Sequence, residues 1–225
     1  VVYDPICQAC RMHESADQHD HAFVSAASIA MELILRPEVS DRWLQPSALP
    51  KMSIGALASH LGRQISRAAE LLPVVADLPM LESADEHYAR AAWVTSTSPD
   101  DPANDRGTDD AEAALGPAAL RGRTTAALQA VRDLLVAGDA RDVVSIPWQG
   151  WSLRRPDFLL TRLLELVVHS DDLAASLELP TPEFPDEAFA PVRDLLVRLA
   201  VRRHGQSAFV ATLTRRERAR SIDAF

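Results

Sequence analysis

An all-α fold is predicted for this chain: four long helices in one antiparallel bundle over about residues 19–179, followed by a short helical C-terminal extension. Three observations predict it. Leucine and alanine are frequent, whereas glycine is scarce (8 of 225 residues) and aromatics are 5%, a balance that favours helix over sheet. Apolar residues recur at helical spacing in every long apolar segment. Proline-rich or polar turn segments separate those stretches.

Residues 1–18 read as an N-terminal tail, expected to be disordered, and Met12 is a candidate start. The first helix is expected from about Asp20 to Arg36, stopped by Pro37, with Phe23, Ala27, Ala30, Leu33 and Ile34 on its core side. After a proline-bearing loop that holds Trp43, Ser53 is a candidate N-cap. Ile54, Leu57, Ala58, Leu61, Ile65, Ala68 and Leu72 then repeat at helical spacing and define the second long helix. Pro73 and Pro79 interrupt the segment after that helix, and a short helix is expected over Ala84 to Thr95.

Residues 96–110 are polar and rich in Pro and Asp, the composition of a loop. Pro117 suits the first turn of a third long helix and Gly138 its end. Residues 139–155, with Trp148 and Trp151, read as irregular. Pro156 opens the fourth long helix, which runs to about Leu179. After a linker at 180–185, a fifth helix is expected from Asp186 to His204, and Thr214 with Glu217 form the pattern of a capping box for a last short helix. The extension, residues 180–225, is expected to pack on the bundle, because about 40 residues rarely sustain a core alone.

Several function classes are excluded at this level. The net charge of −9 gives no basic footprint for nucleic acid. No apolar run reaches the roughly 20 residues of a membrane span. The start lacks the basic and apolar regions of a signal peptide, so the expected compartment is the cytoplasm. Cys7 and Cys10 form a single C-x-x-C near three histidines, a candidate redox or zinc element that finds no second pair.

The chemistry concentrates in residues 155–177, RPDFLLTRLLELVVHSDDLAASL. On a helical wheel Arg162, Glu165, His169 and Asp172 fall within roughly 80° of arc, and nearly everything else is apolar. Glu165 and His169 are four apart, so their side chains sit one above the other and can share one metal ion. The same stripe also fits the solvent-facing strip of a buried helix, decorated with pairs worth a few tenths of a kcal/mol. His60 lies at the edge of the second helix's apolar stripe, from where it can reach an interhelical crevice or sit as a boundary histidine. Together the three would make a His₂Glu set with an open fourth position, the mark of a catalytic zinc site. Asp172 is either an orienting partner for a ligand histidine or a plain helix-end carboxylate. Arg162 either binds an anionic substrate group or pairs with Glu165. His87, with Tyr88 and Trp93, either lines a pocket or packs helices.

The pattern S-I-G-A-L-A-S-H-L-G at 53–62, followed by R-L-L-E-L-V-V-H-S-D-D-L at 162–173, resembles the mycothiol-dependent maleylpyruvate isomerase-like branch of the DinB superfamily. The L-T-R-R-E-R near 213–218 is similar to the tail of its short members. The resemblance covers about residues 20–180. It implies an up-down-down-up four-helix bundle whose metal is held by His60, Glu165 and His169. In the isomerase of that family a C-terminal domain supplies a substrate-contacting arginine; here Arg215, Arg216, Arg218 and Arg220 are the candidates for it.

What the resemblance implies chemically is a divalent metal, zinc first among several that suit the donors, and mycothiol or a similar low-molecular-weight thiol. The metal stabilises the thiolate. The thiolate then attacks a small electrophile, giving S-transfer, or adds reversibly to an activated double bond, giving isomerisation. The alternative is a DinB-like metal-binding module that serves as a regulator or ligand sensor without catalysis. The partners implied are a small thiol and a small electrophile, with the chain itself a monomer or homodimer.

Overall fold

The computed structural model of the protein describes the backbone of residues 5–95 and 106–225 and the side chains of residues 18–94 and 106–225. The side chains of Cys7 and Cys10, and residues 96–105 of the polar loop, lie outside the described residues. Four long helices dominate: α1 (Pro5–Ile34), α3 (Ile54–Leu71), α6 (Gly116–Ala137) and α7 (Arg155–Leu177). Short α2 (Pro37–Asp41) follows α1, and α4 (Ala84–Arg90) and α5 (Gly107–Ala114) lie in the long connection between α3 and α6. The extension adds α8 (Asp186–His204) and α9 (Gln206–Thr214). The long helices form a ring in which α1 packs on α7 and α6, and α3 packs on α6 and α7. Among the described residues no helix is long and apolar enough to cross a membrane.

The stops and starts follow local chemistry. The Ser53 hydroxyl accepts the Ala56 amide at 3.0 Å and caps α3. Proline occupies the first turn of α6 and of α7, where a missing amide costs nothing. Gly138 closes α6 with φ of 72°, a left-handed conformation that glycine adopts without strain. Phe23, Ala27, Ala30, Leu33 and Ile34 are all buried on α1, and every apolar residue of the α3 stripe is fully buried. Two contacts bring α3 close to its neighbours. The Trp43 ring lies flat over Gly55, and its indole nitrogen donates to the Ala113 carbonyl at 3.0 Å. Gly62 faces Thr124 and Leu120 of α6.

The structure differs from the sequence reading at several points. The helix α1 begins at Pro5, well before Asp20, because no glycine or proline interrupts residues 6–36. The expected helix over 84–95 is α4 plus a 3-10 turn, Ala92–Thr95. Residues 139–155 are not irregular: β1 (Val143–Ile146) and β2 (Trp151–Arg154) form an antiparallel hairpin pairing Val143 with Arg154 and Ile146 with Trp151. The sequence of β1, V-V-S-I, does not alternate, and the four-residue alternation of β2, W-S-L-R, is too brief to stand out. Backbone bonds from the hairpin's Ser152 to Pro79 and Leu81 (2.8 and 2.9 Å) then fix the approach to α4. The capping box at Thr214 is not formed. Thr214 is the last residue of α9 and its hydroxyl donates back to the Val210 carbonyl at 2.7 Å, a local bond that competes with a capping role.

The helix α8 buries Ala188, Val192, Leu195 and Leu199 and packs on α1, α7 and α4. An Arg198–Asp85 ion pair at 2.9 Å joins it to α4. The residues after α9 return along the molecule. His204 bonds Asp223, and Phe225 lies against Tyr88 and Trp93 with ring centroids at 5.2 and 4.9 Å.

The close helix contacts give a stability test. A methyl group on Gly55 would sit 2.5–2.7 Å from Trp43 ring atoms, whereas one on exposed Gly122 in α6 meets nothing within 4 Å. Gly55→Ala should destabilise by about 1–3 kcal/mol, and Gly122→Ala should stabilise by up to about 1 kcal/mol. Urea midpoints should therefore move in opposite directions; a rise for both would contradict the packing at Trp43.

Candidate metal centre

His60 projects from the middle of α3, and Glu165 and His169 from successive turns of α7, the helix packed beside it. The i, i+4 spacing stacks the two α7 side chains, and the α3–α7 contact brings His60 to meet them. Nε2 of His60 and Nε2 of His169 each lie 3.3 Å from Oε2 of Glu165. The imidazole rings meet edge to face with centroids 4.6 Å apart. All three donor atoms fall within 4.8 Å of one another.

Each histidine is held from behind by a carboxylate. Asp172 Oδ2 contacts His169 Nδ1 at 2.9 Å, and Asp109 Oδ1 contacts His60 Nδ1 at 3.1 Å. A carboxylate on Nδ1 keeps that nitrogen's proton and turns the Nε2 lone pair toward the centre, the arrangement that orients histidine ligands in metal sites. Asp109 belongs to α5 and is itself ion-paired with Arg63, which also bonds Glu112 at 3.1 Å. Two imidazoles and one carboxylate, convergent and oriented, suit a zinc-sized divalent ion and leave room for a further ligand.

The cluster is electrostatically tight. Burial alone would push the Glu165 carboxyl up. Its hydrogen bonds to His169 and His60, with the charges of His169 and Arg162, outweigh that and hold it well below the usual carboxylate range. Burial likewise pulls the His169 imidazole down, but Asp172 and Glu165 reverse the effect and raise it to about 9. A cation entering the cluster therefore displaces a proton. For Asp109, His60 and Arg63 overcome burial and lower the carboxyl.

These groups line one side of a cavity of about 370 Å³. Its other walls include Arg67, Arg162, His87, Trp93, Trp148 and Phe225. Arg162 is buried and does not pair with Glu165. Its guanidinium donates to Gln64 Oε1 at 2.5 Å and to Thr161 Oγ1 at 3.2 Å. Arg67 stacks on the face of Trp148 at 4.0 Å and has no carboxylate within ion-pair distance among the described residues. Burial, then the charges of Arg162 and Arg63, lower it to about 10. Tyr88 is buried and donates to the Thr161 carbonyl at 3.3 Å, a packing role, whereas His87 and Trp93 reach the cavity. Arg215, Arg216, Arg218 and Arg220 are exposed and none lines it.

Asp109, Arg67 and Trp148 are wall residues that the sequence reading does not single out. Asp109 sits in a short helix within an acidic stretch, and nothing in its spacing ties it to His60, 49 residues away.

The family model described as mycothiol maleylpyruvate isomerase N-terminal domain matches residues 24–174. That span contains all three convergent donors and both carboxylates behind them. No curated protein and no solved structure matches the chain.

A pH dependence arises from His87. Burial, with the charge of Arg162 adding to it, lowers this imidazole from 6.5 to about 4. Because the folded value lies below the unfolded one, the unfolded chain takes up the proton first. The stabilisation is complete above pH 6.5 and is lost as pH falls toward about 4, by up to about 3 kcal/mol. His87→Gln should flatten the stability profile across that window relative to wild type in urea unfolding; unchanged slopes would contradict a neutral buried ring.

Proposed function

The chain belongs to the mycothiol maleylpyruvate isomerase N-terminal domain family, and from that premise we propose that it is a metal-dependent enzyme using a mycothiol-type thiol on a small electrophile, by S-transfer or by reversible addition. The metal-binding unit in this proposal is residues 19–179, with 180–225 packed on it. The observation that carries the reading is the convergence of His60, Glu165 and His169 at the wall of a cavity large enough for a small ligand.

When bound, a divalent ion would lower the pKa of a thiol entering the open position. The protein's own residues do the rest. His60, Glu165 and His169 would hold the ion. Asp109 and Asp172 keep the proton on each Nδ1, so both histidines present a lone pair inward. Leu164 and Val168 supply apolar wall beside the cluster and limit water around the reacting sulfur. The guanidinium of Arg67, which pairs with no carboxylate among the described residues, offers a seat to an anionic group on either reactant, one of the two roles the sequence leaves open for Arg162.

Protein purified without a metal-binding tag should carry about one divalent ion per chain, zinc being the first expectation. His169→Ala should lose that ion while helical circular dichroism is unchanged, because the core is leucine-rich and independent of it. Asp109→Asn should weaken metal affinity about 10–100-fold. Conjugation of mycothiol to monochlorobimane should track metal content across these variants. A tightly held ion with no thiol turnover on any electrophile would favour the non-catalytic sensor module instead.

A further inference from the structure

One wall group of the cavity is not explained by holding a metal. His87, on α4, is only 3% exposed yet faces the cavity that contains His60, Glu165 and His169. Its Nδ1 accepts a hydrogen bond from the Trp151 indole N–H at 3.1 Å. An indole nitrogen can only donate, so Nδ1 must carry a lone pair and the ring's proton must sit on Nε2. The ring is clamped edge to face between Tyr88 and Trp151, with centroids 5.0 and 5.7 Å away. Among the described residues nothing accepts a hydrogen bond from Nε2. Arg162 lies near enough for its charge to oppose a second proton on the ring.

The support for this placement is extensive. Trp151 is the first residue of β2, and the hairpin is tied to the chain entering α4 through Ser152. The helix α4 is capped by Ser83 and tethered by the Ala84 amide to Asp157 Oδ1 of α7 at 2.9 Å. A hairpin, a short helix and the metal-bearing helix thus fix one neutral N–H at a cavity wall.

We infer that His87 is a neutral hydrogen-bond donor to the carbonyl oxygen of an unsaturated carbonyl substrate, with Trp151 as the residue that sets its tautomer. The inference rests on the thiol-addition reading above. In that step the sulfur forms a C–S bond at the β carbon, and the C=C π pair shifts until the carbonyl oxygen carries the negative charge. The Nε2–H of His87 donates to that oxygen and keeps its proton. The α carbon then takes a proton from solvent as the carbonyl re-forms, matching the one the thiol released on ionising. A neutral donor suits the task, since it stabilises the enolate oxygen without protonating it.

Two electrophiles separate this role from general binding. Mycothiol addition to 2-cyclohexenone develops charge on oxygen; its displacement of chloride from monochlorobimane breaks a C–Cl bond, puts the charge on chloride and turns no carbonyl into an enolate. In the metal-loaded, full-length protein, His87→Phe should lower the ratio of the enone rate to the bimane rate about 10²-fold. His87→Gln, whose amide places an N–H near the same point, should restore most of that ratio. Trp151→Phe should lower the ratio in wild type and add nothing in the His87→Phe background. Equal losses on both probes, or none, would overturn the inference. Wild-type protein that turns over neither probe would instead overturn the thiol-addition reading, and the inference with it. Should the His87 variants fail to fold, ¹⁵N ring signals of the wild type decide: Nε2 protonated and Nδ1 bare from pH 6 to 8 is required, and the opposite tautomer ends the proposal.

Discussion

A half-buried carboxylate held between two helices is the constraint on which the rest of this structure turns. Glu165 cannot remain ionised inside the bundle unless its lost hydration is replaced. Two imidazoles and the field of Arg162 replace it. Those imidazoles come from different helices, so α3 and α7 must approach closely and at one register. The glycines of α3 serve that approach on its other sides, under Trp43 and against α6. Each imidazole in turn needs a partner for its second nitrogen, which draws in Asp172 from the same helix and Asp109 from α5. The geometry of the cluster is thus a chain of obligations starting from one half-buried charge.

The cavity wall inverts the character of the whole molecule. The chain carries a net charge of −9, yet Arg63, Arg67, Arg106 and Arg162 all reach this one cavity. They are committed to different degrees. Arg63 answers Asp109 and Glu112, Arg106 answers the Pro50 carbonyl, and Arg162 answers Gln64 and Thr161. Among the described residues Arg67 is held by a ring face instead of by an acceptor. A guanidinium stacked on indole keeps its edge donors free for a ligand.

The long elements were legible because burial imposes a period. The stripe from Ile54 to Leu72 and the apolar run around Glu165 define α3 and α7 without reference to anything else. Glu165 and His169 were legible as a pair for the same reason, since four residues is one helical turn. His60 was visible only as an edge position, and the resemblance to a known family was needed to connect it with a helix about 100 residues away. Asp109, Arg67 and the His87–Trp151 bond left no trace in spacing. Their partners are chosen by tertiary closure, and a single acid, arginine or tryptophan in a polar stretch has no periodicity to betray it. The hairpin escapes detection because V-V-S-I does not alternate and the alternation in W-S-L-R spans only four residues, and α5 because it is barely two turns long.

The division of labour between bundle and connection has an evolutionary consequence. The three convergent donors His60, Glu165 and His169 sit on α3 and α7, the helices that build the core. Two of the polar groups that face the cavity from elsewhere, His87 on α4 and Asp109 on α5, belong to the excursion between α3 and α6. Substitutions in that excursion can alter what the cavity wall presents to a ligand, or how strongly His60 is held, while the helical scaffold stays untouched. One bundle of this design can therefore vary the lining of its cavity by drift in a single inter-helix segment, with the three convergent donors left in place.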